Sequence, residues 1–305
     1  MGSSRVAAIF GVLAAFSLMA SPVFAVNPST QTTSKQGAAK GESTQVGSLV
    51  LTPAEQAIVD LRAQIVADYA NLRAGKLDKA TFDAENAAFL SDHGGFSAAQ
   101  VAALESGPLL ATNTLSMVQS AQTTTYYCGP ATAYEMLKYL GASGPAGESL
   151  SQPHMANKCA DGYLCTDKLG NTPWYYYSGY PHPMVSTLNA WMTQPMWYAP
   201  FQGSSNYVSW LVYDIDYSHP VAANVYEKAS SATPHLVGHP TNQVIEHWVA
   251  VRGYASSGAQ SNYADSVHGT TFWSWSKNVP AYSTIASGQT GMSYMMDTIP
   301  YGYVG

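Results

Sequence analysis

Residues 122–141 read Gln-Thr-Thr-Thr-Tyr-Tyr-Cys-Gly-Pro-Ala-Thr-Ala-Tyr-Glu-Met-Leu-Lys-Tyr-Leu-Gly. Pro130 suits the first turn of a helix, where its missing N–H has no intrahelical partner, and Gly141 suits a stop. The stretch therefore predicts a helix from Pro130 to Leu140, with Tyr134, Leu137 and Leu140 as its apolar stripe. Cys128 stands at the N-terminal end of that helix, where the positive end of the macrodipole favours thiolate over thiol. Gln122 lies six residues upstream, and its side-chain amide can donate to an oxyanion that develops beside the sulfur.

A thiolate nucleophile needs a histidine to hold its proton and to protonate the leaving group. The chain has 8 histidines. His154, His182, His219, His235 and His239 lie in Pro-rich or loop-like surroundings, His93 ends a helical stretch, and His268 precedes Gly269. His247 instead opens the apolar, β-branched run Trp248–Tyr254, a strand that would hold the ring rigidly. Asp265 is the candidate for orienting the imidazole, with a turn aspartate as the alternative.

Outward from these residues, Pro220–Tyr226 and Thr271–Trp275 also read as strands, and Val185–Met192 as a short helix. Upstream, Thr52-Pro53-Ala54-Glu55 is a capping-box signature followed by Ile58, Leu61, Ile65, Tyr69 and Leu72 at helical spacing, with Gly75 as the stop. A second helix is predicted over Lys79–Leu90, and Ser97–Gln100 opens a third. Helices first and strands later give an α+β class. All seven Trp lie downstream of Gly107, which places a domain boundary there. The expected organisation is 1–25 signal peptide, 26–50 flexible linker, 51–106 helical segment and 107–305 main domain.

The chain has 305 residues, a formal charge of −6 and only 10% charged residues. No basic run exists to neutralise phosphates, which excludes a nucleic-acid binder of the usual kind. Arg5, the apolar run Val6–Ala20 and the small residues around Ala25 describe a secretory signal peptide, too short for a membrane anchor. The mature protein is therefore expected to be secreted, without stable membrane insertion. Of three cysteines, Cys159 and Cys165 are close enough in a loop-like stretch to pair in an oxidising compartment, which leaves the Cys128 thiol free. No cofactor is called for. A glycine-rich phosphate loop and a His-Glu-x-x-His zinc helix are both missing from the sequence, and Gly238 with Pro234 and Pro240 speaks against a metal-binding helix at His235 and His239.

The Gln–x5–Cys-Gly-Pro-Ala pattern, the His-Trp-Val-Ala-Val-x-Gly-Tyr strand and the Ala-Asp step resemble a papain-like cysteine peptidase. Within that group the chain is most similar to relatives of the double-glycine leader peptidases that process bacteriocins, over roughly Met117–Trp275. The resemblance implies a papain-like fold, with the Cys on a helix and the His and Asp on an antiparallel sheet. It implies Cys128 as nucleophile, His247 as general base and acid, Asp265 as orienting group, and Gln122 as oxyanion donor beside the Cys128 backbone N–H. It further implies Pro220–Tyr226 as the strand before the His strand. Three positions depart from the usual pattern: Tyr127 for an acidic residue, Ser266 for Pro and Glu246 for Gly. With no ATP-binding cassette or transmembrane bundle following, a free secreted enzyme is expected.

The leading reading is thus a secreted peptidase that passes through a thioester acyl-enzyme, with a peptide or protein as substrate. Its helices at 51–106 are read as a candidate inhibitory propeptide. Acyl transfer to an amine and cleavage of a cell-wall peptide keep the chemistry and change the acceptor or substrate. A non-catalytic peptide- or wall-binding module is the alternative of another class. The oligomeric state is left open.

Overall fold

The computed structural model describes residues 53–93, 96–145, 147–157, 163–174, 182–192, 197–298 and 302–305. All of them belong to one compact unit within residues 35–305. The signal-peptide and linker readings and Cys159 lie outside the described residues.

Three helices come first: α1 (Pro53–Arg73), α2 (Lys79–Asp92) and α3 (Ala98–Glu105). Their ends follow local chemistry. Asp78 caps α2 by accepting from the Thr81 N–H at 3.0 Å. Ser97 and Gln100 form the reciprocal box expected of them at the start of α3. The inner face of α1 carries Ile65, Val66, Tyr69 and Leu72, all buried. It packs on α8 (Tyr207–Asp216). Arg62 of α1 is buried there between the Trp197 and Trp210 rings, paired with Asp214 of α8. It also donates to the carbonyls of Trp197 and Gly305, the latter at 2.7 Å. Burial pushes Asp214 up to about 7, although Arg62 pulls it down.

The sheet is antiparallel in every pairing. Its strands are β1 (Asn113–Thr114), β2 (Pro200–Gln202), β3 (Val221–Glu227), β4 (Ile245–Ala255), β5 (Gln260–Ala264), β6 (Tyr282–Ala286) and β7 (Gly302–Val304). They run in the order β2-β7-β3-β4-β5-β6, with β1 added to β4. With helices against this sheet, the molecule is α+β. The long central pair β3 and β4 is apolar and buried along nearly its whole length, because helices cover it. The helix α4 (Cys128–Tyr139) packs on β4 and β3; the short α5 (Gln152–Asn157) and α6 (Thr166–Leu169) follow it, and α7 (Pro183–Met192) packs on α4.

Three expectations need adjustment. α4 begins at Cys128, two residues before the predicted start; Pro130 is still in the first turn, whose N–H groups lack intrahelical acceptors, so it breaks nothing. β4 begins at Ile245, so His247 is its third residue and not its opening one. The run Thr271–Trp275 is not a strand. Its aromatic content reads as β-forming, but Trp273 and Trp275 stack on each other at 5.1 Å and line a cleft instead.

Candidate active site

α4 meets the sheet so that Cys128, half-buried, faces His247 on β4. The close approach depends on Gly129, where a Cβ would lie 2.1 Å from Thr172 Oγ1. Thr172 in turn accepts the Trp248 Nε1–H on its carbonyl at 3.1 Å, so the helix start and the histidine strand are tied through one residue. Cys128 is a free thiol. Cys165 is disulfide-bonded. Cys159, its expected partner, lies outside the described residues.

His247 is buried, and its Nε2 lies 3.1 Å from Asp265 Oδ1. The Cys128 thiol interacts with the same ring and raises its proton affinity. With Nε2 occupied by Asp265, Nδ1 is the nitrogen left for the thiol. Burial opposes a charge on His247, but the carboxylate of Asp265, its hydrogen bond and the Cys128 thiol outweigh it and raise its proton affinity well above that of a free histidine. Asp265 follows β5 directly and is fully buried. Burial alone would raise its pKa; the charges of His247 and His239 and their hydrogen bonds hold it far below the usual carboxylate range.

Gln122 is buried beside the same cleft. Its Nε2 donates to the Thr124 carbonyl at 2.8 Å and its Oε1 accepts from Ser266 Oγ at 3.0 Å. A carbonyl only accepts, so the Thr124 bond fixes which end of the amide is NH2. One Nε2 hydrogen is used and the second remains for an oxyanion. The backbone of Gln122 donates to the Ser266 carbonyl at 2.8 Å. Ser266, one of the departures from the expected pattern, is thus the residue that holds Gln122, directly after the residue that holds His247.

The structure therefore brings Cys128, His247, Asp265 and Gln122 to one cleft or its immediate floor. The cleft walls add Tyr126, Val244, Ile245, Val267, Trp273 and Trp275. They are mainly apolar, as the walls of small-molecule and peptide clefts commonly are.

Sequence reasoning missed two neighbours. His239, in the loop before β4, lies with Nε2 3.1 Å from Asp265 Oδ2 and Nδ1 2.7 Å from Glu227 Oε1. Glu227 ends β3 and also accepts from His235 Nδ1 at 3.0 Å and from the Leu236 N–H at 3.1 Å. A wholly buried glutamate at the end of an apolar strand is the signal that marks this network. Burial works against the charge on His239, but Glu227 and Asp265 raise its pKa to about 9. Gly238, at φ +86° and at a place where a Cβ would meet the Asn278 carbonyl oxygen at 2.3 Å, makes the turn that delivers His239. The ligand atoms of His239, His247 and Asp265 all lie within 4.8 Å of one another, the spacing of a metal site. Each histidine nitrogen that faces Asp265 is at hydrogen-bond distance from its own carboxylate oxygen, however, so the cluster is satisfied as a proton network.

A family model described as the Peptidase_C39 like family matches residues 114–287, more than half of the chain. The chain belongs to that family. The match begins at β1 and ends after β6, so it contains α4, β3, β4 and β5 and all four candidate residues, while α1 to α3 lie upstream of it. No curated protein matches the chain.

Proposed function

We propose that the protein is a secreted cysteine peptidase that hydrolyses peptide bonds through Cys128, His247 and Asp265. The observation that carries this reading is His247, bonded through Nε2 to a buried carboxylate and interacting with a free thiol at the start of a helix. Membership of a cysteine peptidase-like family supports it.

In this reading Nδ1 of His247 takes the proton of Cys128, and Sγ attacks the carbonyl carbon of the substrate. The oxyanion meets the free Nε2 hydrogen of Gln122 and the N–H of Cys128, which has no intrahelical acceptor. Collapse breaks the C–N bond, His247 gives its proton to the leaving amine, and a thioester remains. A water molecule then loses a proton to His247 and attacks the thioester, releasing the acid and the sulfur. Asp265 keeps Nε2 protonated throughout, so Nδ1 alone exchanges protons.

Export rests on Arg5 and the apolar run behind it. The disulfide at Cys165 fits an oxidising compartment. No helix among the described residues is long and apolar enough to cross a membrane.

The test is labelling of the purified protein with a thiol-reactive peptidyl electrophile across pH, read by intact mass, beside Cys128→Ala and His247→Ala. Fast single labelling below pH 7 that is lost in Cys128→Ala and greatly slowed in His247→Ala is expected. An ordinary thiol profile, unchanged in His247→Ala, sinks the reading.

A further inference from the structure

We propose that His239 is a positioning residue of this site: an imidazolium, clamped between Glu227 and Asp265, that sets the charge Asp265 presents to His247. The proposal rests on the peptidase reading of Cys128 and His247.

The argument is one of hydrogen-bond count. Both ring nitrogens of His239 face carboxylate oxygens, at 2.7 and 3.1 Å. A neutral imidazole has a lone pair on one nitrogen, which would confront a carboxylate. Only the cation donates from both. The ring is buried and Trp275 covers it at 5.0 Å, so water does not substitute for either partner. The result is a buried run of alternating charge that passes from Glu227 through His239 to Asp265 and His247 and ends at Cys128. The other titratable groups in reach are His235, bonded to the far oxygen of Glu227, Glu135 of α4, which acts on Asp265 and His247, and Tyr263 of β5, which interacts with Asp265 and Glu227. The His239 and His247 ring centres are 5.4 Å apart. At that distance the cation offsets part of the pull of Asp265 on His247, and Glu227 offsets part of the cation.

This arrangement predicts opposite signs for two neutralising substitutions. His239→Gln removes a positive charge, so the site favours protonated forms and the Cys128 thiolate appears at higher pH. Glu227→Gln removes a negative charge and moves the same transition to lower pH. Residues that only support the fold would loosen the site and shift both variants the same way.

The experiment follows alkylation of Cys128 by iodoacetamide against pH in the full-length protein, by intact mass, with thermal unfolding run on each variant. It needs no substrate. The expected acid-limb midpoint rises by about one pH unit in His239→Gln, a tenfold fall in rate below the midpoint, and falls by a similar amount in Glu227→Gln. Coincidence of both profiles with wild type, or shifts of the same sign, overturns the positioning role alone. A wild-type profile with no limb below pH 7 overturns the peptidase reading and this proposal with it. If one variant does not fold, the other decides: the predicted sign supports the proposal, and no shift or the opposite sign overturns it.

Discussion

Asp265 has two oxygens and three donors. Oδ1 accepts from His247 and from the Val267 N–H at 2.9 Å, and Oδ2 accepts from His239. Asparagine has one accepting end, so Asp265→Asn must turn an N–H toward one of the two histidines. We expect Cys128 labelling at pH 6 to fall on the order of a hundredfold, since general acid–base groups contribute about 10²–10⁴, and the melting temperature to fall as well. The same network sets a pH dependence of stability. His239 has a folded pKa of about 9, above its ordinary value of 6.5. Its contribution is therefore complete below pH 6.5 and is lost as pH rises through 9. Unfolding free energies from urea titrations at pH 7 and pH 10 should differ by an amount of the order of 3 kcal/mol, and His239→Gln should flatten that slope. Asp265 has the opposite sign. Its depressed pKa stabilises the fold above the usual carboxylate range and is lost as pH falls toward the folded value.

At the scale of elements, two contacts determine where α4 and α1 sit. Gly129 lets the start of α4 rest on Thr172, and Gly129→Ala would force Thr172 away from Trp248. The expected outcome is a protein that still folds but labels Cys128 at least about tenfold more slowly, because a displacement near 1 Å at reacting atoms is costly. Arg62 joins α1 to α8 with its charge out of water. Arg62→Met leaves Asp214 buried and unpaired, which costs about 3–5 kcal/mol in such pairs. The double variant Arg62→Met with Asp214→Leu should recover much of that loss, and urea unfolding of the three variants checks it.

At the scale of the molecule, α1 to α3 are packed into the body of the protein, and none of their residues lines the cleft at Cys128 among the described residues. An inhibitory propeptide occupies the cleft it blocks and leaves without cost to the core. Here removal would uncover Asp214, Trp197 and Tyr213. We therefore propose that these helices are a permanent part of the fold. A chain that begins at Pro108 is expected to aggregate, or to melt well below the full-length protein, with no gain in labelling rate. Faster labelling by a stable truncated chain would restore the propeptide reading.

What the sequence determined by itself was local. Capping residues and stop signals decide helix ends within a few neighbours, so α1 and α3 were legible from Thr52-Pro53-Ala54-Glu55 and the Ser97–Gln100 box. Helical spacing likewise placed Cys128 at a helix start, and the β-branched run placed His247 on a strand. The pairings β1 with β4 and β2 with β7 were not legible, since strands of two or three residues carry almost no periodicity and exist only where a neighbour supplies hydrogen bonds. Trp273 and Trp275 misled for a related reason: aromatic propensity reports a fit to a half-buried surface, and a cleft wall is one as much as a sheet is. Gln122, Cys128, His247 and Asp265 could be picked out because their chemistry is specific. Glu227 and His239 could not, because a glutamate and a loop histidine acquire their meaning only when folding removes the water around them and leaves them bonded to each other, to His235 and to Asp265. Burial is a property of the whole chain, and it turned these two residues from solvated side chains into the far end of the site.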